Sequence, residues 1–221
     1  MTNTSLRIAV IGGGIGGLTA ALSLRQAGFE VDVYEQAPAL THIGGGINMG
    51  PNAARVLLKL GLGEGLLREG VRPRSTHQRR WDDGRTLQRA PLNPQCEALY
   101  GAPHVTIHRA DLLAVISSAF PERIHLGHRL VGLAERGDHV EAWFDNGARI
   151  TPDVLVGADG IHSAVRAILF GEEAPQFAGC VAYRGLVPVE RIADLGLELG
   201  SQSWSGPARI SCIISSRADG C

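Results

Sequence analysis

Between an apolar run, Leu6–Ile11 (LRIAVI), and a stretch with helical spacing, Leu18–Ala27 (LTAALSLRQA), lies Gly12-Gly13-Gly14-Ile15-Gly16-Gly17. The pattern Gly-x-Gly-x-x-Gly in that setting admits few folds. Gly12 permits a tight turn, Gly14 lets the main chain approach a pyrophosphate, and Gly17 lets the helix pack closely on the strand. The helix start also supplies unpaired N–H groups and a partial positive charge. Gly28 is a good helix stop, and Phe29–Tyr34 (FEVDVY) alternates as a strand does. One strand–helix–strand unit of about 30 residues results, the length a right-handed parallel crossover needs. An acid, Glu35, ends its second strand, where a carboxylate can accept both hydroxyls of a ribose. The plainer alternative is a glycine-rich turn beside a solvated Glu. The unit by itself does not choose between NAD and FAD.

Further along, Pro51 opens a helical stretch, Asn52–Leu60, closed by Gly61. Val71–Arg89 alternates, with Asp82-Asp83-Gly84 as a hairpin turn. Asp111–Phe120 reads as a helix ended by Pro121. Strands are predicted at Ile124–Leu126, Leu130–Arg136 and Val140–Phe144, the last before an Asp145-Asn146-Gly147 turn. Val154–Val156 is a buried strand, Ser163–Phe170 a helix, and Cys180–Val189 extended. Parallel-type strands thus flank a mostly antiparallel middle, which makes the nucleotide-binding part discontinuous.

The formal net charge of −1 gives no field for nucleic acid or an anionic membrane. Lys59 is the only lysine among 21 basic residues, which we read as codon bias in a GC-rich genome. No apolar run reaches the 18 or so residues of a membrane span, and Met1–Arg7 shows no signal peptide. Cys96, Cys180, Cys212 and Cys221 form no CxxC pair, which points to reduced thiols and a cytoplasmic location. His104 and His108 share a face of a strand-like stretch but lie too far apart to chelate one ion easily, so no metal is expected.

Four further segments carry a family resemblance. Gly157-Ala158-Asp159-Gly160-Ile161-His162-Ser163-x-x-Arg166 resembles the second fingerprint of the class A flavoprotein monooxygenases. Gly44-Gly45-Gly46-Ile47-Asn48-Met49-Gly50-Pro51-Asn52-Ala53 is similar to the stretch that passes the flavin in their salicylate and 6-hydroxynicotinate hydroxylases. Ile107-His108-Arg109-x-x-Leu112 resembles a helix start whose Arg contacts FAD, and Tyr183-Arg184-Gly185 a strand entering the substrate domain. Together they cover roughly residues 6–190.

The resemblance implies an α/β fold: a discontinuous Rossmann-like FAD-binding domain, 1–72 and 105–177, with an incomplete antiparallel β-sheet substrate domain, 73–104 and 178–221. It implies FAD held by Gly12, Gly14, Gly16, Gly17, Glu35, Gln36, Arg109, Leu130 and Asp159, with Asn48 and Tyr183 near substrate. Read without it, Asp159 is more simply a helix cap. In complete relatives NAD(P)H reduces the flavin and O2 supplies the atom transferred to a phenol or hydroxypyridine, and a homodimer is possible.

Some pyridine-ring hydroxylases carry a His, a candidate base, where this chain has Asn48. Asn takes no proton at neutral pH, so no catalytic base is named. The family's third, Gly-Asp fingerprint is absent, and an incomplete enzyme is expected. The alternatives are a non-catalytic remnant, or an epoxidase or reductase on the same fold. Ser205–Cys221 departs from the family's pattern and, from about Ala208, reads as a tail out of frame with an ancestral gene. The alternative there is a divergent tail with its own fold.

Overall fold

The computed structural model describes residues 6–40, 45–207 and 209–215. In chain order the elements are β1 (Arg7–Ile11), α1 (Ile15–Gln26), β2 (Glu30–Tyr34), β3 (Gly46–Met49), α2 (Pro51–Lys59), α3 (Gly63–Glu69), β4 (Ser75–Arg80) and β5 (Thr86–Pro91). There follow α4 (Gln95–Tyr100), β6 (Val105–His108), α5 (Arg109–Ser117), β7 (Ile124–His125), β8 (Leu130–Glu135), β9 (Val140–Phe144) and β10 (Arg149–Ile150). The last are β11 (Val154–Gly157), α6 (Ala164–Phe170), β12 (Gly200–Gly206) and β13 (Arg209–Ile214).

Two compact units form, each discontinuous: Met1–Thr41 with Leu113–Val181, and His42–Leu112 with Ala182–Cys221. In the first, an all-parallel sheet has the order β11-β1-β2-β7. β1 is interior, between β11 and β2, and Ile8 to Ile11 are buried on both faces, which is why it reads as a continuous apolar run rather than an alternating one. α1 returns the chain from β1 to β2. It ends in a Schellman motif: Gly28 N–H bonds Arg25 O at 2.9 Å, and Phe29 N–H bonds Leu24 O at 3.2 Å. That ending places Gly28 at φ 96°, the left-handed region that favours glycine. An antiparallel sheet β10-β9-β8 completes this unit. Its Leu130, Ala142 and Phe144 bury a small core with Ile11 and with Val165 of α6.

The second unit holds a four-stranded sheet, β13-β12-β4-β5. The hairpin β4–β5 and the pair β12–β13 are antiparallel, as an antiparallel substrate sheet requires, but β12 joins β4 in parallel, Gly200 opposite Ser75. β3 pairs antiparallel with β6, Gly46 opposite His108. Buried Asn93 clasps this unit, donating to the carbonyls of Pro73 (2.9 Å) and His104 (2.8 Å) and accepting from His104 N–H (3.0 Å). Burial pushes the His104 imidazole below its ordinary pKa.

Residues 45–72 and 105–112 group with the second unit because β3 pairs with β6 and Val71 bridges Thr106. The segment Cys180–Val189, read as extended and as a strand at Tyr183–Gly185, contains no strand; a 3-10 helix follows at Val189–Leu195. The tail departs from the family's pattern, yet Arg209–Ile214 pairs with β12; Ala208 and 216–221 lie outside the described residues. No helix among the described residues is long and apolar enough to cross a membrane, and no cluster there could hold a metal ion.

Candidate functional site

At the carboxyl ends of β1, β2 and β11 the first unit opens a cleft of about 550 Å³. Its walls include Gly12, Gly14, Glu35, Gln36, Leu130 and Asp159, six of the nine residues expected to hold a cofactor. Strand ends in an open parallel sheet are where such folds bind ligands, because helix starts and loop amides converge there.

The glycines divide by physical role. Gly12 has φ 110°, and a Cβ on it would meet Ala158 O at 2.5 Å. Its N–H bonds Tyr34 O at 2.8 Å, while Ala158 N–H bonds Ile11 O at 2.7 Å, so the loop is stitched to both neighbours of β1. Gly17 faces inward: a Cβ there would stand 2.0 Å from Gly12 O. Gly14 and Gly16 have nothing within 4 Å of a Cβ. Gly14 lines the cleft, so its missing side chain leaves room for a ligand rather than for the protein. Gly14 is also the N-cap of α1, which has no side-chain cap and no acid in its first turn. The amides there are left for an anion.

Glu35 is held in place by main chain. Its Oε2 accepts from Gly13 N–H at 2.6 Å and its Oε1 from Ala37 N–H at 2.9 Å. A carboxylate offers about four acceptor positions, so two remain for ribose hydroxyls. Asp159 bonds within its own loop and to the first turn of α6, whose N-cap is Ser163. Oδ2 accepts from Val165 N–H at 3.1 Å and Oδ1 from the Ser163 hydroxyl, while Ser163 Oγ caps Arg166 N–H at 3.0 Å. It thereby fixes the turn Ala158–Ile161 that floors the cleft.

Arg109, Asn48 and Tyr183 belong to the second unit. Arg109 opens α5 in the second unit, its N–H bonded to Gly45 O at 3.2 Å. Asn48 stands on β3 opposite Thr106 and is exposed. Tyr183 is 96 % exposed in a segment without regular structure. Gly44 lies outside the described residues.

The sequence reading missed Tyr34, His128, Arg129, Ile161 and His162, which also line the cleft. Ile161 and His162 were inside a quoted motif. Tyr34 and His128 belong to a ring cluster that only the β2–β7 pairing assembles: Tyr34 stacks on His125 (4.8 Å) and Phe144 (5.1 Å). Asp32 anchors it, accepting from Arg123 (3.3 Å) and lying 2.9 Å from His125 Nε2. Burial, and then Asp32, raise the Tyr34 phenol above its ordinary pKa, so it stays neutral.

A profile described as an FAD binding domain matches residues 5–185. The chain belongs to that family. It is 41 % identical to 3-amino-4-hydroxybenzoate 2-monooxygenase of Streptomyces cremeus, over 95 % of this chain and 53 % of that protein. It is 38 % identical to 6-hydroxynicotinate 3-monooxygenase of Pseudomonas fluorescens, over 85 % and 49 %. Among solved structures, Klebsiella pneumoniae HpxO complexed with FAD and uric acid matches with TM-score 0.83 at 26 % identity, covering 96 % of this chain and 54 % of that one. The 2,6-dihydroxypyridine-3-hydroxylase of Arthrobacter nicotinovorans matches with TM-score 0.65 at 34 % identity, covering 80 % and 42 %. This chain spans about half the length of the curated relatives it matches. The open cradle at Gly14, the uncapped α1 and the anchored Glu35 fit the FAD that family membership brings.

Proposed function

We propose that this chain holds FAD as part of an NAD(P)H-dependent monooxygenase that hydroxylates a small aromatic ring, a phenol or a hydroxypyridine. The observation that carries the reading is the convergence of Gly12, Gly14, Glu35, Gln36, Leu130 and Asp159 on one cleft. The relatives' named activities on aminohydroxybenzoate and hydroxynicotinate support the substrate class. When bound, FAD supplies the redox chemistry, taking electrons from NAD(P)H and passing them to O2.

The chain's own residues bind and orient. The free amides of α1 and the space over Gly14 receive the pyrophosphate. Glu35 accepts from the ribose, Gln36 and Leu130 flank the adenosine half, and Asp159 holds the floor. Arg109 is a further cofactor contact on the resemblance alone, as Asn48 and Tyr183 are for substrate. Asn48 can orient a ring by hydrogen bonding but cannot remove a proton from it. In functional terms 1–72 and 105–177 serve the cofactor, and 73–104 and 178–221 the substrate. A cytoplasmic location and a homodimer in the complete enzyme belong to the same proposal.

The purified protein tests this directly. Bound-flavin absorption, with NAD(P)H oxidation stimulated by a hydroxybenzoate or hydroxypyridine, is the expected result. Flavin without any NAD(P)H oxidation would leave a binding remnant, and oxidation indifferent to every ring a reductase. A colourless protein that takes up no FAD on titration would overturn the whole reading. Within it, Glu35→Ala is expected to weaken FAD binding by about 1.5–3 kcal/mol through loss of charge-assisted bonds. Unchanged affinity in a fluorescence titration would remove Glu35 from the ribose.

A further inference from the structure

The turn after β7 is laced to the end of β2 by three main-chain bonds. Glu35 N–H bonds His125 O at 2.9 Å, His128 N–H bonds Glu35 O at 2.8 Å, and Gly127 N–H bonds Ala37 O at 3.0 Å. The residue assigned to the ribose and His128 are therefore neighbours on one ladder, and both line the cleft.

The His128 ring is fixed in orientation and in tautomer. Nδ1 lies 2.7 Å from Leu126 O, a carbonyl that can only accept, so Nδ1 carries the hydrogen. In the neutral ring Nε2 is then an acceptor. Edge-on contacts with Phe144 (5.1 Å, 83°) and Tyr34 (5.6 Å, 64°) hinder rotation. Tyr34 in turn is stacked on His125, which Asp32 anchors. Nε2 meets no hydrogen-bond partner among the described residues.

We propose that His128 Nε2 accepts a hydrogen bond from the exocyclic amine of the FAD adenine, so that His128 reads the base where Glu35 reads the ribose. The inference rests on the FAD reading above and adds a residue to it. One acceptor, locked in place and set beside the ribose acid, suits the one strong donor that adenine carries on its six-membered ring.

The test compares FAD with its deaminated analogue, flavin hypoxanthine dinucleotide, in which a carbonyl replaces the amine. Both are titrated into flavin-free protein by fluorescence quenching. The wild type is expected to bind FAD roughly fivefold to tenfold more tightly than the analogue, the size of one hydrogen bond with its partner left unpaired. His128→Phe keeps a ring in the cluster but no acceptor, and is expected to lose that preference through weaker FAD binding. His128→Gln, which restores an acceptor, is expected to recover part of it, and covers the case that the Phe variant fails to fold. Equal affinity of the wild type for the two dinucleotides would overturn the proposal, as would a preference undiminished in His128→Phe. Binding of neither dinucleotide by the wild type would instead sink the FAD reading, and this proposal with it.

Discussion

Gly17→Ala is expected to prevent folding, whereas Gly14→Ala is expected to fold and fail to hold FAD. A Cβ on Gly17 would stand 2.0 Å from Gly12 O and 3.2 Å from Ala158 Cβ. The nearest obstacle is main chain of the loop itself, so no rotamer change relieves it, and α1 would have to leave the sheet. A main-chain clash that nothing can relieve belongs to the exceptional changes that cost upward of about 5 kcal/mol, enough to consume the stability of a domain at the lower end of the usual range of about 5–15 kcal/mol. Gly14 has φ −73°, which alanine adopts freely, and nothing lies within 4 Å of its Cβ. The methyl group would instead fill the space the pyrophosphate needs. Circular-dichroism melting and FAD titration of the two variants separate the effects. A Gly17→Ala protein melting like wild type, or a Gly14→Ala protein binding FAD normally, would refute the division of roles.

A protein of residues 1–221 is expected to self-associate at micromolar concentration. Phe170 is 83 % exposed, Phe177 76 % and Val181 72 %, three large apolar side chains within twelve residues that the fold leaves unburied. Exposed apolar surface on this scale ordinarily marks an interaction site or an aggregation liability. Replacing all three with Ser should raise the monomer fraction seen by size-exclusion chromatography with light scattering. A wild type that is monodisperse, with cooperative melting that added FAD does not change, would count decisively against it.

Much of the first unit was legible because its signals are local. The continuous apolar run of β1, the glycines after it and the acid after β2 each state their own backbone requirement. The Asp82-Asp83-Gly84 turn between β4 and β5 appears where the dipeptide signal placed it. The ring cluster was not legible, because Tyr34, His125, His128 and Phe144 meet only through tertiary pairing of β2, β7 and the β8–β9 hairpin. Nor could sequence show that Glu35 already accepts two main-chain amides, since alternation fixes which face a side chain takes but not its partner. β3 was not predicted, because its glycines hide the alternation of a strand. The strand at Tyr183–Gly185 was expected from the resemblance, but a strand needs a partner, and none pairs with it among the described residues.

The position of β1 inside its sheet has a consequence for how the protein is made. Its register with β11 is clamped by Arg7 N–H to Asp153 at 2.7 Å, across 146 residues of sequence. At ordinary elongation rates a ribosome needs on the order of ten seconds to cover that distance. Throughout that interval the nascent chain can form β1, α1 and β2 but not the strand on the other side of β1. Ala158, against which Gly12 is seated, has also not been synthesised. The cofactor therefore has nothing complete to load into until the chain past Asp159 has been made. One edge of an apolar strand is on offer to chaperones, or to other nascent chains, throughout that interval.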